Sequence, residues 1–333
     1  MTTRELRKLL EGLPHIELGL NPTPLHRLRN LERKLGHRPI FIKRDDLNGL
    51  GIGGNKVRNL EFLLGEALAQ GADCVIASGM LQSNLCSLAA AGCRRAGLRC
   101  LLVHNNRPPE RLEGNMVLNH LLAAEHHYLG DVDSSLREQY AQELYERLQA
   151  QGSRPYLIRN GASDGAGLLG YVQAAVELAE QLEQGGEPAD IAHVCIPGGN
   201  GGLAAGMIFG AALLGRPFEV ELVTVEYDEA ELRPILRHFF SELARIMGCR
   251  PDGDPEEAFT LHTDFRCGGW GLIDDEVTDF LYDFAQTEGI FVEKVYTGKT
   301  LYGMVKLLER GYFEDRGVCY LHSGGMGALF TQF

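Results

Sequence analysis

Short apolar segments alternate with longer amphipathic segments along almost the whole chain of 333 residues. The short segments predict strands at 39–43, 74–77, 99–103, 126–129, 155–158, 191–196, 219–225 and 318–321. The amphipathic segments predict helices at 57–70, 84–95, 112–123, 136–149, 167–183, 203–214, 230–247, 274–287 and 301–310. Strands that alternate with helices favour parallel sheets covered by helices on both faces. The pattern therefore predicts an α/β fold.

The order of the predicted strands also suggests two domains. Four of them lie between residues 55 and 161, which is enough for a small sheet, while the strands on either side can join in a larger sheet. We predict two open twisted sheets, with a large domain of residues 1–54 plus 162–333 and a small domain of residues 55–161. Because ligands bind at the carboxyl ends of parallel strands, the crevice between the two sheets is the expected site.

Charge and composition exclude several classes of protein. The formal net charge of −13 argues against nucleic acid as a partner, because such proteins need a basic surface. No segment contains the roughly 20 apolar residues that a membrane span requires. The eight cysteines include no C-x-x-C pair, so we expect no metal site, and their apolar surroundings indicate thiols in a reducing compartment. The predicted location is the cytoplasm.

Lys56 follows a glycine cluster at 51–54 and opens a predicted helix. The positive field at a helix N-terminus lowers the pKa of a lysine and favours its neutral amine. A neutral amine is the form that attacks an aldehyde. The alternative from spacing alone is a surface lysine after a flexible turn.

A second glycine cluster, at 198–202, lies between a predicted strand and a predicted helix. Backbone N–H groups of such a loop can converge on an anion at the helix N-terminus, so the cluster predicts a phosphate site. The loop also fits the dinucleotide pattern G-x-G-x-x-A through Gly199, Gly201 and Ala204. That match keeps a nicotinamide-dependent oxidoreductase as an alternative, although the pattern usually lies early in a nucleotide domain.

Polar residues follow two further strands. Gln82, Ser83 and Asn84 come after one predicted strand, and Ser323 lies in a glycine-rich turn after the last one. Their position at strand ends suits ligand binding. Helix capping by Ser83 or Asn84 and turn formation at 322–325 are the alternative roles.

Together these segments resemble the D-cysteine desulfhydrase and aminocyclopropane carboxylate deaminase family of pyridoxal phosphate enzymes. The resemblance covers nearly the whole chain. Its motifs are PTPL at 22–25, IKRDDL at 42–47, GGNK at 53–56, LEFLL at 60–64, QSN at 82–84, GY at 170–171, GGNGG at 198–202, YTGK at 296–299 and HSGG at 322–325. The resemblance implies fold type II, with an architecture like that of the tryptophan synthase β subunit, and a homodimer.

The resemblance also implies roles for individual residues. Lys56 would hold pyridoxal 5'-phosphate as a Schiff base, Asn84 would bond the phenolic oxygen of the cofactor, and Ser83 would meet the substrate carboxylate. Tyr296 would face the substrate. The remaining implied contacts to the cofactor are the phosphate loop of Gly199, Asn200, Gly201 and Gly202, Thr297 near the ring nitrogen, and Ser323.

The implied reaction is β-elimination from a small amino acid, with D-cysteine giving pyruvate, ammonia and hydrogen sulfide. The deaminase branch of the family has glutamate where Thr297 stands, and a hydroxyl partner suffices for the departure of a good leaving group. Two positions depart from the family pattern, because Leu85 and Leu203 replace polar residues. One alternative is the same reaction on another β-substituted amino acid, such as cysteate or D-serine. Two others are deamination of aminocyclopropane carboxylate and a protein that binds the cofactor without turnover.

Overall fold

A computed structural model describes residues 1–37, 39–163 and 165–333. Within these residues the chain forms ten strands and twelve α-helices. The strands are β1 (Leu25–Arg27), β2 (Ile40–Arg44), β3 (Cys74–Ser78), β4 (Arg99–His104), β5 (Glu125–Tyr128), β6 (Pro155–Leu157), β7 (Ile191–Gly198), β8 (Glu219–Thr224), β9 (Phe259–His262) and β10 (Gly317–His322). The helices are α1 (Thr3–Glu11), α2 (Arg29–Leu35), α3 (Lys56–Ala69), α4 (Asn84–Ala96), α5 (Asn115–Leu121), α6 (Ser134–Ala150), α7 (Leu169–Glu183), α8 (Gly202–Leu213), α9 (Glu229–Met247), α10 (Asp275–Glu288), α11 (Thr297–Glu309) and α12 (Met326–Leu329).

The larger sheet has six strands in the order β1-β2-β10-β7-β8-β9. Its pairings are parallel except that β1 runs antiparallel to β2. One face packs against α1, α7, α8 and α9, and the other packs against α2, α10 and α11. The prediction of an α/β fold with helices on both faces is therefore confirmed.

The smaller sheet has four parallel strands in the order β5-β4-β3-β6. They are the four strands predicted for a small sheet, and all lie between Cys74 and Leu157. Apolar side chains of α3 and α4 form a core on one side of this sheet, and α6 packs on the other. The two sheets are separate, while the exact domain boundaries stay a prediction.

Helices α7 and α8 pack closely because glycines on α8 face α7. A Cβ atom at Gly206 would lie 2.5 Å from the carbonyl oxygen of Leu168, and one at Gly210 would lie 2.7 Å from the Cβ of Ala175. Larger side chains at these two positions would force the helices apart. The close packing holds the N-terminus of α8 against the segment that precedes α7.

A buried ionic cluster joins β2, α3 and α7, and it consists of Lys43, Asp45, Arg58 and Glu177 together with Thr23. The guanidinium of Arg58 donates to both carboxylate oxygens of Asp45 at 2.8 Å and to Oε2 of Glu177 at 3.0 Å. Lys43 also donates to Glu177. Two cations and two anions balance within the cluster, which fixes the first turns of α3 against the larger sheet.

Several predicted boundaries differ from the structure. The short edge strands β1 and β9, as well as α1 and α2, were absent from the predicted elements. Helix α5 begins at Asn115 rather than at 112, because the backbone at Gly114 has φ +51°. Helix α11 begins at Thr297 rather than at 301, because the buried carboxylate of Glu293 accepts hydrogen bonds from the backbone at its start. None of the helices in the described ranges is both long and apolar enough to cross a membrane.

Candidate active site

Lys56 is the first residue of α3 and follows two glycines with positive φ. A Cβ atom at Gly53 would lie 1.9 Å from the carbonyl oxygen of Asp46, so only glycine fits this turn. The Nζ of Lys56 donates to the carbonyl oxygen of Gly161 at 2.6 Å. Desolvation by burial lowers the pKa of this amine to about 8. The sequence predicts a lowered pKa for Lys56 from the field of the helix N-terminus. In the structure the pKa is lowered as predicted, but the cause is burial of the amine.

The glycine loop at 198–202 connects β7 to α8, and it approaches the Lys56 amine through Gly161. Gly201 has φ +89°, and a Cβ at Gly202 would lie 2.4 Å from the Cβ of Ser163. The Oγ of Ser163 donates to Oδ1 of Asn200 at 2.8 Å. A Cβ at Gly161, whose carbonyl binds Lys56, would lie 2.8 Å from Nδ2 of Asn200. The loop therefore forms a narrow cradle at the N-terminus of a buried helix, next to a lysine.

Ser83 and Asn84 lie at the N-terminus of α4. Ser83 is the N-cap of that helix, and its Oγ accepts from the backbone of Cys86 at 3.3 Å, so the predicted capping role is present. The Oδ1 of Asn84 accepts from Nδ2 of Asn115 at 2.9 Å. Asn115 had not been predicted as a site residue, and no sequence motif marks it.

The turn after β10 closes the site between α3 and α4. The carbonyl of Ser323 accepts from the backbone of Asn55 at 2.8 Å, directly before Lys56. A Cβ at Gly325 would lie 3.6 Å from Nδ2 of Asn84 and 2.4 Å from Cγ of Glu293. The turn therefore brings together residues from three distant parts of the chain.

Thr297 is buried, and its hydroxyl is bound to Glu293. The Oγ1 of Thr297 accepts from the backbone of Glu293 at 2.9 Å and lies 3.1 Å from its carboxylate. That carboxylate also accepts from the backbone of Val295, Tyr296 and Thr297, each at 2.7 Å. Glu293 was not predicted as a site residue, and no sequence motif marks it.

Tyr296 lies against the glycine loop. A Cβ at Gly199 would lie 3.0 Å from Cε1 of Tyr296, so the ring packs on the loop backbone. The indole Nε1 of Trp270 donates to the Tyr296 hydroxyl at 2.6 Å. Trp270 was not predicted either, although the single tryptophan of the chain lies in the glycine-rich segment GGWG.

The two apolar departures from the family pattern lie inside hydrophobic cores. Leu85 packs in the core of the smaller domain, and Leu203 packs in the core of the larger sheet. Both side chains are buried and apolar, so neither position supplies a polar contact. At the glycine loop the backbone N–H groups are the available donors.

These residues fit pyridoxal phosphate. A partly buried amine with a lowered pKa suits covalent attachment to an aldehyde, and a loop that a Cβ would fill at the start of α8 suits a phosphate. The structure brings together the predicted residues Lys56, Gly199, Asn200, Gly202 and Tyr296. Among the described residues, no group of three or more His, Cys, Asp or Glu side chains is placed to hold a metal ion.

Comparisons with known proteins agree with this chemistry. A family model described as "pyridoxal-phosphate dependent enzyme" matches residues 16–324. A Pyrococcus horikoshii protein named putative 1-aminocyclopropane-1-carboxylate deaminase is 34% identical over 322 residues, which cover 97% of this chain and 95% of that protein. A D-cysteine desulfhydrase of Yersinia enterocolitica is 36% identical over 332 residues, which cover 98% of each chain.

Solved structures give the same result for the fold. The crystal structure of an ACC deaminase homologue superposes with a TM-score of 0.86 at 34% identity, covering 97% of this chain and 96% of that chain. Threonine deaminase isoform 2 from Solanum lycopersicum superposes with a TM-score of 0.69 at 17% identity, covering 97% and 89%. At that low identity the tomato protein shows the shared fold alone.

Proposed function

This chain belongs to the pyridoxal-phosphate dependent enzyme family, and on that premise we propose that it catalyses β-elimination from a small amino acid. The proposed substrate is D-cysteine, with pyruvate, ammonia and hydrogen sulfide as products. Relatives named D-cysteine desulfhydrase match over 97–98% of this chain at 35–36% identity, which supports this choice. The observation that carries the proposal is the Lys56 amine, with a pKa of about 8, beside the glycine loop.

Pyridoxal 5'-phosphate, when bound, withdraws electrons from the Cα of the amino acid attached to it. The protein has to supply the proton transfer and the orientation. With a pKa of about 8, the amine of Lys56 is neutral in about a tenth of the molecules at pH 7 and in more at higher pH, and in that form its Nζ can accept the Cα proton. We propose that Lys56 performs both the attachment and the proton transfer.

Ser83 and Asn84 orient the substrate and the cofactor in this proposal. In the N-cap bond of Ser83 the hydroxyl oxygen is the acceptor, so its hydrogen can still donate to a carboxylate. The N-terminus of α4 adds a positive field that favours an anionic group. Backbone N–H groups from Gly199 to Gly202 bind the phosphate.

Aminocyclopropane carboxylate deamination is the second candidate. It is favoured by relatives of that name with identities of 32–34% over 97–98% of this chain. Against it stands Thr297 at the position where the resemblance gives the deaminases a glutamate. A substrate panel of D-cysteine, L-cysteine, D-serine, cysteate and aminocyclopropane carboxylate therefore separates the two candidates.

The deciding experiment measures keto-acid release across this panel, with the variants Lys56→Ala and Lys8→Ala. We expect D-cysteine to be the best substrate, Lys56→Ala to be inactive, and Lys8→Ala, an exposed change on α1, to match the wild type. Borohydride reduction followed by peptide mass spectrometry should locate the reduced cofactor on Lys56. Reduced cofactor on another lysine would contradict the assignment. Faster turnover of aminocyclopropane carboxylate than of D-cysteine would favour the second candidate.

We also propose that the enzyme works as a homodimer in the cytoplasm. Exposed large apolar side chains such as Leu121, Phe330 and Phe333 support a contact between copies. All eight cysteines are free thiols, which suits a reducing compartment. Light scattering should give twice the mass of the chain, and a monomer mass would refute the dimer.

A further inference from the structure

The hydrogen bond between Trp270 and Tyr296 has a defined direction. An indole N–H can only donate, so the oxygen of the Tyr296 hydroxyl is the acceptor in the 2.6 Å contact. The hydroxyl hydrogen must therefore point to another acceptor. Within residues 1–37, 39–163 and 165–333, the hydroxyl makes no other hydrogen bond. The hydrogen is left available for a ligand.

The segment that carries Trp270 is held in place by the helix that carries Tyr296. Lys299 of α11 is buried, and its Nζ donates to the carbonyl oxygens of Arg266 and Gly269 at 2.6 and 2.7 Å. It lies three residues after Tyr296, which is the N-cap of the same helix. Because one turn of α11 fixes both partners, the indole keeps its orientation relative to the phenol.

Tyr296 also faces the proposed pocket. Its ring packs on Gly199, and the next residue, Asn200, lies against Gly161, whose carbonyl accepts from the Lys56 amine. Trp270 is 45% exposed, so the indole lies at the edge of the site with one part in solvent. Tyr296 and Trp270 therefore lie between the glycine loop and bulk solvent.

We propose that Trp270 is a positioning residue that makes the Tyr296 hydroxyl a dedicated hydrogen-bond donor to the β-substituent of the substrate. This inference rests on the proposed β-elimination. It assigns the substrate class more narrowly, since the donor stabilises a β-substituent that accepts a hydrogen bond, such as the sulfur of D-cysteine. Burial raises the pKa of Tyr296 well above its ordinary value of 10, so the phenol keeps its hydrogen throughout the working pH range.

A double-mutant cycle on the holoenzyme tests whether Trp270 acts on the reaction through the Tyr296 hydroxyl. We expect Trp270→Phe to lower kcat for D-cysteine about tenfold with little change in KM, because one oriented hydrogen bond is lost. Tyr296→Phe should lower kcat by at least as much. In the Tyr296→Phe background, the additional change Trp270→Phe should have no further effect. An equal further loss in that background, or an unchanged kcat in Trp270→Phe alone, would overturn the proposal.

Fluorescence gives a second measurement that does not depend on turnover. Trp270 is the only tryptophan, so the emission of the holoenzyme reports on its indole alone. Tyr296→Phe removes the acceptor of the indole N–H and should shift the emission maximum. Tyr282→Phe removes an exposed hydroxyl elsewhere and should leave emission unchanged. If Tyr296→Phe shifts the emission but the wild type does not turn over D-cysteine, the proposed function is refuted and the Trp270–Tyr296 hydrogen bond is retained. If Tyr296→Phe and Tyr282→Phe give identical emission, the hydrogen bond itself is refuted.

Discussion

Replacing Glu177 with glutamine removes one of the two anions of the buried ionic cluster while keeping the size of the side chain. Desolvation pushes the pKa of this carboxyl up, but the charge and hydrogen bonds of Arg58 and the charge of Lys43 hold it to about 2, below the ordinary 4.5. At about 1.4 kcal/mol per pKa unit, this difference corresponds to about 3 kcal/mol of stability at neutral pH. The substitution also leaves one buried cation without its partner, and this implies a loss of stability of similar size.

The sign of the pH dependence follows from the lowered pKa. The contribution of Glu177 is fully present above the unfolded-state pKa of 4.5 and is lost as the pH falls through about 2. Urea unfolding at pH 7 and at pH 3.5 measures it, and we expect the difference between wild type and Glu177→Gln to shrink from about 3 to roughly 2 kcal/mol.

Glu180→Gln is the matched control for this experiment. Glu180 lies on the same helix, α7, and pairs with Arg7 near the surface, where both side chains are about a third exposed. A surface ion pair contributes less than about 1 kcal/mol. Equal losses in Glu177→Gln and Glu180→Gln at pH 7, or a Glu177→Gln loss that does not change with pH, would refute the reasoning.

Two further predictions concern the site itself. The kcat for D-cysteine should rise as the pH increases, with the midpoint of the rise near pH 8, because the proton acceptor is the neutral amine of Lys56. A pH–rate profile that is flat between about pH 6 and 9 would contradict this role. Gly202→Ala should lower the affinity for pyridoxal phosphate more than tenfold in an equilibrium titration of the apoprotein, because its Cβ would lie 2.4 Å from the Cβ of Ser163. Gly253→Ala, where a Cβ meets nothing within 4 Å, is the control, and equal affinities in the two variants would show that the loop does not hold the cofactor.

The local pattern of the chain was sufficient to predict the main elements of the fold. The eight predicted strands are all present within a few residues, and strands such as β3 and β10 are buried along their whole length, which gives them the apolar pattern of central parallel strands. The edge strands β1 and β9 were missed because they are short, with only partial burial to impose a pattern. The start of α11 was missed because its N-cap, Tyr296, makes no side-chain cap bond, and the backbone there donates instead to the buried carboxylate of Glu293.

The sequence by itself determined the α/β class, the two groups of strands and the positions of Lys56 and the glycine loop, since turns and periodicity act over a few neighbouring residues. Only the tertiary structure decided which residues meet. Trp270 reaches Tyr296 across 26 positions, and Lys56 reaches Gly161 across 105. The cluster around Arg58 joins segments more than a hundred residues apart. Such contacts depend on how distant segments of the chain pack together, which no local pattern specifies.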